Sequence, residues 1–369
     1  MQARSITSVE IPYGVLSVNA GTFYGCTSLT NVVIPNTVTN IGTYAFDGCT
    51  SLVNLVIPES VTSVGNNAFN NCPVIQQTVK DGLKYIGNGT NNYLYLVGVE
   101  NSSITTASID SNCKFIKENA FKNCTSLSSI TIPDTLTSVG TTPFSGCSAL
   151  VYNEKDGLKY LGNDDNKYVY LAGVTDTTIT SANVDSGCKI IGQEAFKNLT
   201  ALSNVTLPEG LKMIGNYAFD GCTALVNVNI PSTVTSIGTY AFRNCSSLSS
   251  IVIPENVTAI SNYTFDGCKA LASVVISENV ATIGTYVFRN CSALTSIIIP
   301  ESIMSIGSNA FNGCTGLKKV YYCGNAEQWS KVTIAAGNTY LTNATKYCFI
   351  GKDTDIPISS GNYWGYDNN

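Results

Sequence analysis

Fourteen cysteines are the residues of this chain best suited to chemistry, and their spacing comes first. Cys26, Cys49 and Cys72 stand 23 apart, as do Cys124 and Cys147, and then Cys222, Cys245, Cys268, Cys291 and Cys314. Three kinds of chemistry would use such thiols: disulfide formation, zinc binding and nucleophilic catalysis. Stacked strands place like residues about 4.8 Å apart with parallel Cβ directions, beyond the ~3.5–4.5 Å Cβ separation of a disulfide. Zinc sites favour closely paired cysteines and imidazole partners, yet the chain has no Cys-x-x-Cys and no histidine. Without histidine, the commonest general base is also missing. The ladder cysteines therefore read as small buried apolar groups. Leu199, occupying the same row, fits that reading, and Cys113 and Cys188 fall on core positions too. For Cys323 and Cys348, near the end of the repeats, a bridge stays open beside the free thiols.

Behind the cysteines lies a template, L-x-x-V-x-I-P-x-x-V-x-x-I-G-x-x-A-F-x-x-C, seen cleanly from Leu225 to Cys245. Its first leucine position is Ile6 and its last is Leu317, with a register that predicts twelve coils. The alternation V-x-I points two side chains inward from one short strand, and proline ends that strand. The V-x-x-I-G segment reads as a turn, glycine supplying a permissive backbone. Phenylalanine fills the middle, and only stacking of neighbours can bury it. Two 52-residue steps, Cys72 to Cys124 and Cys147 to Leu199, each hold one coil and a 29-residue insertion. The insertions match at an offset of 75, with β-prone runs flanking a polar turn. Each reads as a projecting β-hairpin, near 76–103 and 151–178.

The expected fold is thus a leucine-rich-repeat solenoid, mainly β, with short parallel strands, irregular or short helical turns and two inserted hairpins. Its solenoid would span 5–322, followed by a C-terminal cap at 323–350 and an extended or weakly docked tail at 351–369 carrying Tyr363, Trp364 and Tyr366.

Once the interior claims the periodic apolar residues, function falls to the other rows. Tyr217, Tyr240, Tyr263 and Tyr286 occupy one position in consecutive coils, with Tyr44 at the same position earlier. They form a tyrosine stripe, either shielding the surface or contacting a ligand. Tyr85, Tyr95, Tyr160 and Tyr170 sit on the hairpins, the other candidate contact sites. Asp220, Arg243, Asp266 and Arg289 read as an ion-pair ladder of low worth on an exposed surface. Glu59, Asp134, Glu209, Glu255, Glu278 and Glu301 form an acidic edge, solvated or bridged by a cation such as calcium. The middle strand residue runs Val33, Val56, Thr131, Thr206, Asn229, Val252, Val275, Ile298 and points outward as an apolar row. Beside it a polar row, including Asn31, Asn227 and Ser250, is placed to hydrogen-bond along the stack.

The 12% of charged residues and net charge of −5 leave no basic face for nucleic acid. No apolar run reaches the ~18 residues of a membrane helix. Phosphate-binding and nucleophile-elbow motifs are missing, and the carboxylates repeat with the coil instead of marking one site. The composition thus argues for a non-enzymatic protein-binding scaffold, a monomer without cofactor or catalytic residues. The alternative is a carbohydrate-binding protein using the stripe.

The template resembles the BspA-like class of leucine-rich repeats, carried by Ile230-Pro231, Ile237-Gly238 and Ala241-Phe242-x-x-Cys245 over about residues 5–322. The run Val320 to Trp329, with Ile334 and Leu341 to Thr345, is similar to an ending found in such proteins of gut-type bacteria. The resemblance implies an extracellular or cell-surface protein with roles in adhesion to host or other bacteria. No secretory h-region precedes the first repeat, so that localisation carries the expectation of a leader outside this sequence.

Overall fold

A computed structural model describes residues 5–349 and 363–364. The chain forms two compact units, Met1–Asn153 with Tyr160–Tyr170, and Glu154–Lys159 with Leu171–Asn369. Both are parallel β-solenoids. The predicted tail lies outside the described residues, except that Tyr363–Trp364 pairs in parallel with Cys348 and Phe349.

Most full coils carry two short strands; the coil from Leu225 has Ser236–Ile237 and an isolated bridge at Asn227. In the first unit Ser8–Glu10, Asn31–Val33 and Asn54–Leu55 form one parallel ladder, and Ser17–Val18, Asn40–Ile41 and Ser63–Val64 form another. Partners are 23 residues apart, as in Val9 with Val32 and Val18 with Ile41. The second unit repeats this pattern with, for example, Ile251 beside Val274 and Ile260 beside Ile283. The V-x-x-I-G segment is therefore a second strand rather than only a turn. Its glycine serves close approach: a Cβ on Gly238 would lie 2.5 Å from the backbone nitrogen of Asn216 in the coil before.

Phenylalanines stack down the middle. Phe219 and Phe242 have ring centroids 5.1 Å apart at 4°, and the column continues through Phe265 and Phe288. All four rings are fully buried. Backbone bonds tie the closing side of the coil as well, such as Phe219 N–H to Ala241 O at 2.7 Å.

The inserted runs pair with one another as expected of hairpins, but they join the solenoid instead of only projecting from it. The first forms three antiparallel strands, Thr78–Lys80, Leu83–Ile86 and Tyr95–Val99. The third then joins the solenoid in parallel, with Tyr95 beside Phe115 and Leu96 beside Ile116. It replaces a coil strand, because its alternating apolar residues match the inward spacing of the ladder. The second insertion has strands of the same lengths, Asn153–Lys155, Leu158–Leu161 and Tyr170–Val174.

The segment expected as a C-terminal cap, 323–350, contributes strands to the ladders. Lys319–Tyr322 pairs in parallel with Thr345–Cys348, and Ser305–Ile306 with Thr333–Ile334. Between them lie helices Ala326–Lys331 and Thr339–Asn343, the first closed by a capping box of Asn325 and Gln328.

Candidate functional site

The structure assigns the candidate rows to different environments. On the strand face of the second unit, Val252, Val275 and Ile298 are 55%, 52% and 48% exposed. Pairing of Ile298 with Tyr321, and of Tyr321 with Tyr347, extends the row by two half-buried aromatics. These two rings stack at 5.0 Å. Sequence reasoning ended the row at Ile298. The signal for its extension was Val320-Tyr321-Tyr322, one repeat after Ile297-Ile298-Ile299. Val33 and Val56 are exposed at the same position in the first unit. Alternation explains the row: the flanking strand residues are used inward, so the middle ones face water. Hydrogen bonds in the polar row beside it reach between coils, as from Ser250 Oγ to Asn227 Oδ1 at 3.4 Å.

Tyr217, Tyr240, Tyr263 and Tyr286 are half-buried and stack face to face, with centroids 4.6, 4.5 and 4.8 Å apart. Their φ angles are 56°, 62°, 59° and 58°. The left-handed region costs a residue with a Cβ about 1–2 kcal/mol, and asparagine tolerates it better than most. Asn67, Asn119 and Asn309 do hold the equivalent position in other coils. Contacts around the rings offset the strain. The Arg243 guanidinium lies 4.7 Å from the Tyr240 centroid and 5.5 Å from that of Tyr217. Arg289 is placed likewise at 4.7 Å from Tyr286 and 5.6 Å from Tyr263, and Lys197 Nζ is 5.2 Å from Tyr217. Partial burial and the neighbouring tyrosines raise the Tyr240 hydroxyl above its ordinary pKa.

Each arginine is held from below. Arg243 donates from Nε and Nη2 to both carboxylate oxygens of Asp220, at 2.8 and 2.6 Å. Arg289 grips Asp266 at 2.8 and 2.5 Å. Both aspartates are buried, which corrects the expectation of an exposed, low-value ladder: these are two discrete bidentate pairs. Their carboxylates raise the arginines further above their usual pKa. The arginine-on-tyrosine contacts were missed in the sequence, where Tyr240 and Arg243, like Tyr286 and Arg289, stand three apart.

The hairpin tyrosines require a correction. Tyr85, Tyr95, Tyr160 and Tyr170 are all buried and cannot meet a partner as placed. Tyr95 packs edge-on between Phe69 and Phe115, and Tyr170 against Phe144. The Tyr85 oxygen accepts the Asp110 N–H at 3.2 Å. Tyr95 and Tyr170 repair the aromatic column where the repeat is broken, while Tyr85 and Tyr160 pack edge-on against Tyr93 and Tyr168.

All fourteen cysteines are free, Cys323 and Cys348 included, so no bridge joins those two. In the ladder the thiols do more than fill space. Cys222 donates to Phe196 O at 3.0 Å, Cys245 to Phe219 O at 3.1 Å, and Cys268 and Cys291 repeat the contact with Phe242 and Phe265. Burial pushes the Cys222 and Cys314 thiols up to about 12, far from a nucleophile at neutral pH. The acidic row is partly paired: Glu59 accepts from Lys114 at 2.6 Å and Asp134 from Asn166 at 2.6 Å. Among the described residues, no three His, Cys, Asp or Glu side chains gather as a metal site would require. No helix of the described residues is long and apolar enough to cross a membrane.

The rows form by repetition of one motif, and the motif has known relatives. The family model described as BspA type leucine rich repeat region matches residues 1–96, 92–164, 174–295 and 213–342. Similar solved structures include a leucine rich cell surface protein from Faecalibacterium prausnitzii, at 26% identity, covering 89% of this chain and 82% of that one, with a TM-score of 0.38. A leucine-rich repeat protein from Bacteroides ovatus matches at 23% identity over 91% of this chain and 85% of that one, with a TM-score of 0.32. Another from Eubacterium ventriosum matches at 24% over 84% of each chain, with a TM-score of 0.36. No curated protein matches the sequence. With the family's repeat recurring over most of its length, this chain belongs to the BspA type leucine rich repeat family.

Proposed function

We propose that the chain is a non-enzymatic, extracellular or cell-surface scaffold that binds a protein partner, with adhesion to host or other bacterial cells as its role. The observation that carries this reading is the outward apolar row of Val252, Val275 and Ile298, continued by Tyr321 and Tyr347. Apolar side chains aligned coil after coil leave a continuous strip unsatisfied by water, and burying it against another protein would be favourable. A ridge fixed by backbone pairing also loses little entropy on binding.

Tyr217, Tyr240, Tyr263 and Tyr286 make a second contact strip in this proposal, offering ring edges and hydroxyls. The strained backbone of four successive tyrosines, where asparagine would serve, supports a role beyond folding. The carbohydrate reading is less well supported. A sugar ring packs on a free aromatic face, and here the faces are turned to one another and to arginine.

Cell adherence tests the reading. Beads coated with the wild-type protein should be retained on epithelial or bacterial cells. The triple variant Val252→Lys, Val275→Lys, Ile298→Lys should lose that retention while keeping the wild-type circular dichroism. Equal retention of the folded variant, or none by the wild type, would overturn it.

A further inference from the structure

Where the first insertion interrupts the repeat, a cleft of about 320 Å³ opens in the first unit. Its origin lies in the strand pattern. In Leu83–Ile86, alternation sends Leu83 and Tyr85 into the interior and turns Lys84 and Ile86 to the other face. The third strand adds Val97 to the same cleft. Phe69 and Ile75 of the preceding coil complete an apolar wall.

Two cations share this cleft. Lys84 lines it, and no carboxylate stands within ion-pair distance of Lys84 among the described residues. Lys117 also lines it, 3.9 Å from Glu118, whose Oε2 already accepts the Asn67 N–H at 3.0 Å. Both lysines are half-buried, so their charge is felt more strongly than at a fully solvated surface.

The second insertion serves as an internal comparison. It repeats the scaffold 75 residues later, with Lys159 for Lys84, Cys147 for Cys72 and Phe144 for Phe69. There, however, Tyr152 stands in place of Gln77 and Gly192 in place of Lys117. The bulky ring and the lost cation are the two lining changes that alter size and charge most; Asn71, Pro73, Ile75, Ile86 and Val97 are also replaced, by Gly146, Ser148, Leu150, Leu161 and Ala172. The Tyr152 side chain is half-buried, and burial raises its hydroxyl pKa. The first copy alone combines the smaller Gln77 with two lysines.

We propose that this cleft binds a small carboxylate with an apolar tail, the carboxylate on Lys84 and Lys117 and the tail on the half-buried Val97 and Val99, backed by the buried Phe69, Ile75 and Ile86. The cleft lies at the lower end of ligand-site volumes, roughly 300–1,000 Å³, so the ligand is small. A carboxylate gains charge-assisted hydrogen bonds from the two ammonium groups, and the tail gains from leaving water.

Octanoate is the probe, followed by calorimetry with the full chain. The wild type should bind one octanoate per chain, at least about tenfold more tightly than octanol, which has only the tail, or acetate, which has only the charge. The double variant Lys84→Gln, Lys117→Gln should weaken octanoate by about tenfold or more. Gln77→Tyr, which installs the residue the second insertion already carries, should abolish binding. Thermal melting establishes that each variant is folded; should Gln77→Tyr fail to fold, the lysine variant decides alone. No binding by the wild type, equal binding of octanol, or undiminished binding by a folded variant would overturn the proposal.

Discussion

The second unit between Leu199 and Tyr322 and the first unit around Tyr95 solve the same packing problem differently. In the former, most rows offer the same residue type from one coil to the next. Phe219, Phe242 and Phe265 stack within 10° of parallel, and each ladder cysteine finds the carbonyl of a phenylalanine in the coil before. Around Tyr95 the 23-residue register is interrupted, and the aromatic column turns edge-on, at 63° to Phe69 and 70° to Phe115. A cleft remains beside it. The contrast teaches that repetition consumes side chains: where like meets like, the core is closed and only the outward rows are left for function. Where the pattern breaks, imperfect closure leaves room for a ligand.

The largest effect that can break this comparison is in the aromatic column. Phe242→Ala should cost about 3–5 kcal/mol, the range for emptying a buried phenylalanine site. Phe69→Ala should cost less, about 3 kcal/mol at the lower end of that range, because its buried ring borders the cleft on one side. Urea unfolding measures both, and equal losses would mean that the two regions are equally well packed.

A smaller effect sharpens the same contrast at the turns. Gly267 and Gly82 both have left-handed backbones, with φ of 78° and 76°. A Cβ on Gly267 would lie 2.5 Å from Asn244 Oδ1, whereas one on Gly82 would meet nothing closer than 4.0 Å. Gly82→Ala should therefore cost about 1–2 kcal/mol of backbone strain. Gly267→Ala should cost about 2–3 kcal/mol, since strain and a close contact combine. Adding Asn244→Gly should return the Gly267 variant to the Gly82 level. Thermal melts of the three variants check this, and no rescue by the second substitution would remove the contact from the account.

Much of the solenoid was legible in the sequence because its contacts are between like positions 23 residues apart. Leu225, Val228, Ile230 and Phe242 could be placed inside from spacing alone, and all are buried. The outward row at Val252, Val275 and Ile298 followed by subtraction. The insertions were harder for a physical reason. Alternation in Tyr93-Leu94-Tyr95-Leu96 fits a projecting hairpin and a ladder strand equally well. Only the pairing of Tyr95 with Phe115 distinguishes them, and that contact is set by the stack as a whole. The stripe was legible as a row but not as an environment, since a 23-residue step fixes the spacing of the rings and says nothing about which faces they turn to one another.

Thiol counting in the native state tests the central claim most directly. Thirteen of the fourteen cysteines are buried and Cys323 alone is intermediate. Dithionitrobenzoate at pH 8 should label at most one thiol per chain, at Cys323, and all fourteen once the protein is unfolded without reductant. Rapid labelling of several ladder cysteines in the folded protein, or fewer than fourteen thiols after unfolding, would contradict the closed stack of free thiols on which the account rests.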